Sequence, residues 1–333
     1  MLLSICIPTY NRPEDLRNCL NSIMSQKNLS KKSFEVCISD NCSKANIFKY
    51  IKPFKKKLNI KYQRNKRNIG FAMNVLNVSL MAKGKFIWFL GDDDLVVNNS
   101  IEYLIKLIKK NPKIDFFFVN SFYLDKSYLN KFPKPFNIKL LPKNLKAHSP
   151  MKKNKKLTFF KLIDHKICFD YLLGFYVNAF RREMWNENLH VIDKKKMQVP
   201  GTWSTFDNTC FFIKIFCSAF KDSQAMVCAR PLSVNLSGVR EWTDLYPFVE
   251  IVRLPEALDY YRSKGLSFLQ YVRTKNYSLR NFFNYFVKII IGGKRMGLNY
   301  IDFKKHFFKN LIYPNAWLSI FYFFFRKLRN ITN

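Results

Sequence analysis

A chain of 333 residues can hold one large domain or two modest ones, and 48% hydrophobic with 17% aromatic residues excludes wholesale disorder. The formal net charge of +34, from 57 Lys+Arg against 23 Asp+Glu, implies a polyanionic partner: nucleic acid, an acidic membrane face or a charged substrate. Eight Cys with no C-x-x-C pair and four scattered His fit buried, reduced thiols and argue against a disulfide frame or a zinc site.

From the amino terminus, Leu2–Pro8 reads as a buried strand. Its apolar part is too short for a signal peptide, lacks a basic start and runs into Pro8 with no small-residue cleavage site. Asn11 and Pro13 signal a helix with Leu16, Leu20 and Ile23 on one stripe. Phe34–Ser39 is a second strand and Ile60–Gln63 a third; Gly70 opens a helix through Met81. Phe86–Leu90 is apolar without alternation, as in a strand covered on both faces. Three carboxylates follow Gly91: Asp92, Asp93 and Asp94. In open α/β sheets, ligands bind beyond such a strand end. Three adjacent like charges suit a hard cation, or a solvated turn in which one Asp caps the next helix. Asn99 and Glu102 have capping-box spacing for a helix buried through Ile101, Leu104, Ile105 and Ile108. Phe116–Asn120 is a further strand. Strands alternating with helices imply βαβ units and a parallel sheet.

Lys126–Lys156 reads as a basic surface loop over the sheet. Regular structure resumes at Leu157–Trp185, and a helix with Ser204 as its cap runs from near Asp207 through Phe216. Phe248–Asn333 reads as mostly helical. No apolar run reaches the roughly 20 residues that span a bilayer. Asn315–Arg329 and Tyr285–Arg295 each end an aromatic, apolar stretch in basic residues. That fits interfacial helices on anionic lipid, or a buried helix pair.

Four blocks, Ile5-Cys-Ile-Pro-Thr-Tyr-Asn-Arg, Cys37-Ile-Ser-Asp-Asn-Cys-Ser, Arg67-Asn-Ile-Gly-Phe-Ala-Met-Asn and Phe89-Leu-Gly-Asp-Asp-Asp-Leu, together resemble a family-two glycosyltransferase of the GT-A fold. With Phe180-Arg-Arg-Glu-Met-Trp, the finer likeness is to abequosyltransferase and rhamnosyltransferase-like members. The resemblance implies an α/β fold with a Rossmann-like, mostly parallel sheet flanked by helices, and a helical, basic-aromatic extension. It would divide into a GT-A domain over 1–245 (nucleotide-sugar half 1–120, acceptor half 121–245) and a membrane-associating region over 246–333.

On the same resemblance, Pro8, Thr9, Asn11, Arg12, Asp40, Asn41, Asn68, Gly70, Asp92 and Asp93 would bind the nucleotide sugar. Turn and cap chemistry, or an Asx-turn at Asp40, explains several of these residues equally well. Arg64 and Arg67 could reach phosphate. The position of the family's first motif Asp is Gly91, so the metal, Mg²⁺ or Mn²⁺, falls most naturally on Asp93, with Asp92 near the ribose and Asp94 as second ligand or helix-side support. An inverting transfer needs one carboxylate base; Asp207 is the candidate, against a capping role, with Asp170 and Asp222 as weaker ones. Trp203 could stack on a sugar or sit in the core, Asp164-His165 is structural, and Arg240 is a possible phosphate ligand. The implied partners are a nucleotide-sugar donor, a lipid-linked glycan acceptor and an anionic membrane surface at the cytoplasmic face of an inner membrane. A nucleic-acid partner is unlikely, because no helix-turn-helix, zinc-finger or RNP-like block accompanies the charge.

Overall fold

The computed structural model describes residues 1–26, 32–238 and 242–331. Its centre is a mixed sheet built from β1 (Leu3–Thr9), β2 (Phe34–Asp40), β3 (Ile60–Arg64), β4 (Phe86–Phe89), β5 (Leu95–Val96), β6 (Phe116–Asp125), β7 (Lys155–Thr158), β8 (Asn178–Arg181) and β9 (Gln224–Ser237). The spatial order is β3-β2-β1-β4-β8-β6-β9-β5, with β7 also on β9. β3, β2, β1 and β4 run parallel, as do β6 and β9; β8 is antiparallel between β4 and β6.

The seven residues of β1 are all buried because each face of the sheet is covered. Leu3, Ile5 and Ile7 meet α1 (Pro13–Met24) and α4 (Ser100–Lys110) through Leu16, Leu20, Ile101 and Leu104. On the opposite face Cys6, Ile87 and Phe89 join Val75 and Leu76 of α3 (Phe71–Leu80). The short helices α2 (Ile47–Lys55), α5 (Arg182–Glu187) and α6 (Lys194–Met197) precede α7 (Asp207–Phe220), whose Phe211, Phe212 and Phe216 enter this second core. The same core continues through Phe248, Leu279, Phe282, Ile289 and Tyr313, so apolar packing crosses position 245 without a break. Beyond it the chain is helical, with helices at Leu254–Ser263, Phe268–Ser278, Phe282–Gly292 and Pro314–Ile331. Seven of the eight cysteines are buried, and Cys42, in a left-handed turn with φ 64°, is the partly exposed one.

Three local expectations are corrected. Asn99 is left-handed (φ 61°) and gives α4 no side-chain cap; Ser100 N instead donates to Gln26 Oε1 at 2.9 Å, and Glu102 pairs with Lys106. Ser204 does not cap α7, since its hydroxyl donates to Pro200 O; the hydroxyl meeting a first-turn amide is that of Thr205, which accepts from Asn208 N. The segment 126–156 is more than a surface loop. Leu129, Phe136 and Ile138 form a small core with Leu95, Val234 and Leu236, while Asn18 and Asn21 of α1 bond the Phe136 main chain.

Candidate active site

The carboxyl ends of β1, β2 and β4 meet in one polar floor. Pro8 and Thr9 close β1, and the Thr9 hydroxyl donates to Asp92 Oδ2 at 2.7 Å. Asn11 takes φ 55° and ties this turn to the next, its N–H donating to Ser43 Oγ and its Oδ1 accepting from Lys44 N. Asp40 is fully buried, accepting from Ser43 N and Tyr62 Oη at 2.9 Å each, with Arg64 Nε at 3.5 Å. Burial, reinforced by the Asp40 bond and charge, pushes the Tyr62 phenol well up. Asn41 accepts from Ile69 N and donates to Asn68 Oδ1, which in turn accepts from Gly70 N. Gly70 stands at φ 83° ahead of α3, a conformation that L side chains rarely adopt.

The three aspartates divide by their partners. Asp92 and Asp93 both face Arg12, whose Nη1 lies 3.5 and 3.3 Å from one oxygen of each. Burial, with the neighbouring Asp93 charge, pushes the Asp92 carboxyl up to about 7. Asp94 turns inward: Oδ2 accepts from Gly91 N at 3.0 Å and Oδ1 from Asn235 Nδ2 at 2.8 Å. A Cβ on Gly91 would lie 2.6 Å from Asp93 Oδ1 and 2.9 Å from Asp94 Oδ2, so any larger residue here makes those carboxylates shift.

These residues floor a cavity of about 1080 Å³. Pro8, Thr9, Arg12, Asn41, Asn68, Gly70, Asp92, Asp93, Asp94 and Arg67 line it, whereas Asn11, Asp40 and Arg64 stand behind the lining. Aromatic side chains also line it, among them Tyr176, Phe212, Trp203 and Trp242. Trp203 is nearly buried at φ 66° and packs edge-on against Trp242 at 5.3 Å; its Nε1 meets no protein hydrogen-bond acceptor among the described residues.

Asp207 does not reach the cavity. It is buried with Oδ1 2.5 Å from Lys214 Nζ, while its neighbours Asn208 and Thr209 face the lining. Asp170 does line the cavity, and its Oδ2 lies 3.3 Å from Nδ1 of the buried His148. Asp222 is exposed beside Lys221, away from the site. Asp164 pairs with Arg273 and His165 stacks on Tyr277, both structural placements. Arg240 lies outside the described residues. Sequence reasoning missed the cavity wall supplied from beyond residue 245, namely Glu250, Lys294, Arg295 and Tyr300. Burial raises the Glu250 carboxyl pKa above its ordinary range.

Asp92 and Asp93 fit a hard divalent cation, since two carboxylate oxygens already converge on one cationic atom and leave further positions to substrate oxygens. Asp94 has both carboxylate oxygens hydrogen-bonded, to Gly91 N and Asn235 Nδ2. Among the described residues, the group of three potential ligands that do converge is His148, Cys168 and Asp170, within 4.8 Å. Burial raises the Cys168 thiol to about 12, which keeps it protonated.

Residues 4–184 match Glycosyl transferase family 2. The chain belongs to that family. The family 2 match ends inside α5, so Trp203, Asp207 and the wall beyond residue 245 lie outside it. The abequosyltransferase RfbV of Salmonella typhimurium is 40% identical over 106 residues, which are 31% of this chain and 32% of that protein. A poly(ribitol-phosphate) beta-N-acetylglucosaminyltransferase, TarS of Staphylococcus aureus, is 31% identical over 103 residues, 31% of this chain and 18% of that one. These matches therefore span well under two thirds of either relative. In structure, TarS 1–349 in complex with UDP-GlcNAc superposes with a TM-score of 0.57 at 16% identity, covering 96% of this chain and 79% of that one. The mannosyltransferase PcManGT of Pyrobaculum calidifontis, in complex with GDP-Man and Mn²⁺, gives 0.51 at 12% identity over 89% of this chain and 78% of that one. These structural likenesses establish the GT-A type of fold for this family 2 chain.

Proposed function

We propose that the chain transfers one sugar, with inversion, from a nucleotide-sugar donor to a glycan acceptor in the building of a bacterial surface polysaccharide. The observation that carries this reading is the meeting of Asp92 and Asp93 at Arg12 in a large cavity that aromatic side chains also line. Asp92 and Asp93 would hold Mg²⁺ or Mn²⁺, which when bound neutralises charge on the departing nucleoside diphosphate. The amide network of Asn41, Asn68 and Gly70 orients the base and ribose, with Asp40 and Asn11 fixing those turns from behind. Arg12 and Arg67 offer guanidinium groups to phosphate.

The base must reach the acceptor hydroxyl, and Asp170 has the cavity exposure for it that Asp207 lacks. His148 beside Asp170 holds that carboxylate in place. Trp203 offers a ring face and an indole N–H to the acceptor sugar.

The acceptor is read as lipid-linked and the enzyme as peripheral on the cytoplasmic face of an inner membrane, with 246–333 attaching it while also completing the cavity wall. Supporting this, Trp317, Phe321, Tyr322, Phe324 and Phe325 are exposed on the last helix, and no helix among the described residues is long and apolar enough to cross a membrane. The net charge of +34 suits anionic lipid.

The test is thermal stabilisation of the full chain across a panel of nucleotide sugars with and without Mn²⁺. One donor should raise Tm in a metal-dependent way, by a free energy that grows with the ratio of ligand to Kd. Asp93→Ala should remove that rise while keeping the unliganded Tm. A chain that no donor stabilises, or an Asp93→Ala variant that responds like the parent, would defeat the proposal.

A further inference from the structure

The helix Phe282–Gly292 ends in two exposed aliphatic residues, Ile290 (46% exposed) and Ile291 (80%). A tight turn follows at once and brings Lys294 and Arg295 to the cavity wall. The turn is built against the cavity rather than left loose. Gly297 stands at φ 87° so close to Phe248 that a Cβ would lie 2.8 Å from its ring. Phe248 is fully buried, and Val249 and Glu250 directly after it line the same cavity. Tyr300 closes the wall on the other side, its hydroxyl 3.1 Å from where a Cβ on Gly201 would stand. Arg295 pairs with Asp244 at 3.7 Å, but both side chains are mostly exposed, so a dianionic ligand can displace that contact.

An exposed apolar step therefore directly precedes a doubly cationic turn that lines the cavity, separate from Arg12, which is held by Asp92 and Asp93. A ligand matching both features carries a hydrocarbon chain joined to a phosphate or pyrophosphate. We propose that Lys294 and Arg295 bind the phosphate linkage of a lipid-linked acceptor, with Ile290 and Ile291 against the adjoining lipid chain. This rests on the lipid-linked acceptor put forward above and names the residues that read it. The floor then serves the donor diphosphate and the Lys294–Arg295 turn a second anion, which accounts for two cationic stations in one cavity.

Farnesyl pyrophosphate is the probe, with inorganic pyrophosphate and farnesol as its two halves, titrated against the full chain with and without saturating nucleotide sugar. Farnesyl pyrophosphate is expected to bind and to stay bound when donor is present. The K294A/R295A variant should weaken it roughly tenfold or more, the order of one to two lost charge-assisted contacts, with donor-induced stabilisation unchanged. Ile291→Asn should weaken farnesyl pyrophosphate while leaving inorganic pyrophosphate binding as it was. Equal binding by K294A/R295A would overturn the inference, as would displacement of the probe by donor, which would assign the turn to the donor diphosphate. If donors stabilise the chain and farnesyl pyrophosphate does not bind, this inference alone falls; if no donor binds, the transferase reading falls first.

Discussion

Replacing Asp92 by Asn tests the electrostatics of the site directly. In the folded protein, burial and the Asp93 charge raise this carboxyl from an ordinary 3.8 to about 7. The folded state therefore holds a proton that the unfolded chain has already released. Stability from the protonated form is complete below about pH 4 and is lost as pH rises through 7. The gap, 7 − 3.8 ≈ 3, corresponds to roughly 4 kcal/mol at pH 8, at about 1.4 kcal/mol for each step. Asn keeps an acceptor for the Thr9 hydroxyl but leaves Arg12 with one anionic partner fewer. A net gain of about 2–4 kcal/mol is therefore expected for D92N at pH 8 without metal. Given about 2.1 cal/mol/K of unfolding entropy per residue, that is a Tm rise of roughly 3–6 °C. The gain should shrink between pH 7 and 4 and vanish below. With Mg²⁺ or Mn²⁺ and donor, the order should reverse, because the parent then uses the ionised carboxylate. Thermal unfolding across pH, with and without metal, reads all of this. A variant less stable than the parent at pH 8 without metal, or a difference that ignores pH, would refute the reasoning.

Gly91→Ala should lower kcat/KM roughly 100-fold with a shift of only a few degrees in Tm, because the new methyl displaces Asp93 or Asp94 by about an ångström; steady-state kinetics beside thermal unfolding check it. Asp170→Asn should cut kcat about 10²–10⁴-fold with donor affinity kept. Asp207→Asn should instead cost about 1–3 kcal/mol of stability by leaving the partly buried Lys214 without its anion; the opposite pattern in the two variants would move the base to Asp207. Trp317→Ser with Phe321→Ser should lower flotation with anionic vesicles roughly tenfold, and rising salt should weaken the parent's binding as well.

Much of the amino-terminal half was legible because its signals are local. β1, β2 and β4 are short apolar runs ending in Pro8, Asp40 and Gly91, and their carboxyl ends meet because the sheet is parallel there. What stayed hidden depends on distant partners. The inward turn of Asp94 is set by Asn235, 141 residues away, and no spacing near the triplet announces it. Asp207 has the residue type and helix-start position of a base, but Lys214, two turns along α7, holds it off the cavity. The four-residue β8, inserted antiparallel between β4 and β6, leaves no periodic trace of its own. Lys294 and Arg295 read as part of a basic tail until the fold returns that tail to the cavity.

The uneven burial of the thiols has a practical consequence. Cys42 sits in the turn after β2, next to Asn41 on the cavity wall, and the other seven sulfur atoms are shut inside the protein. A maleimide dye would thus label the native chain at a single position in the turn beside Asn41, so its emission can be tested as a reporter of nucleotide arrival with no engineered cysteine.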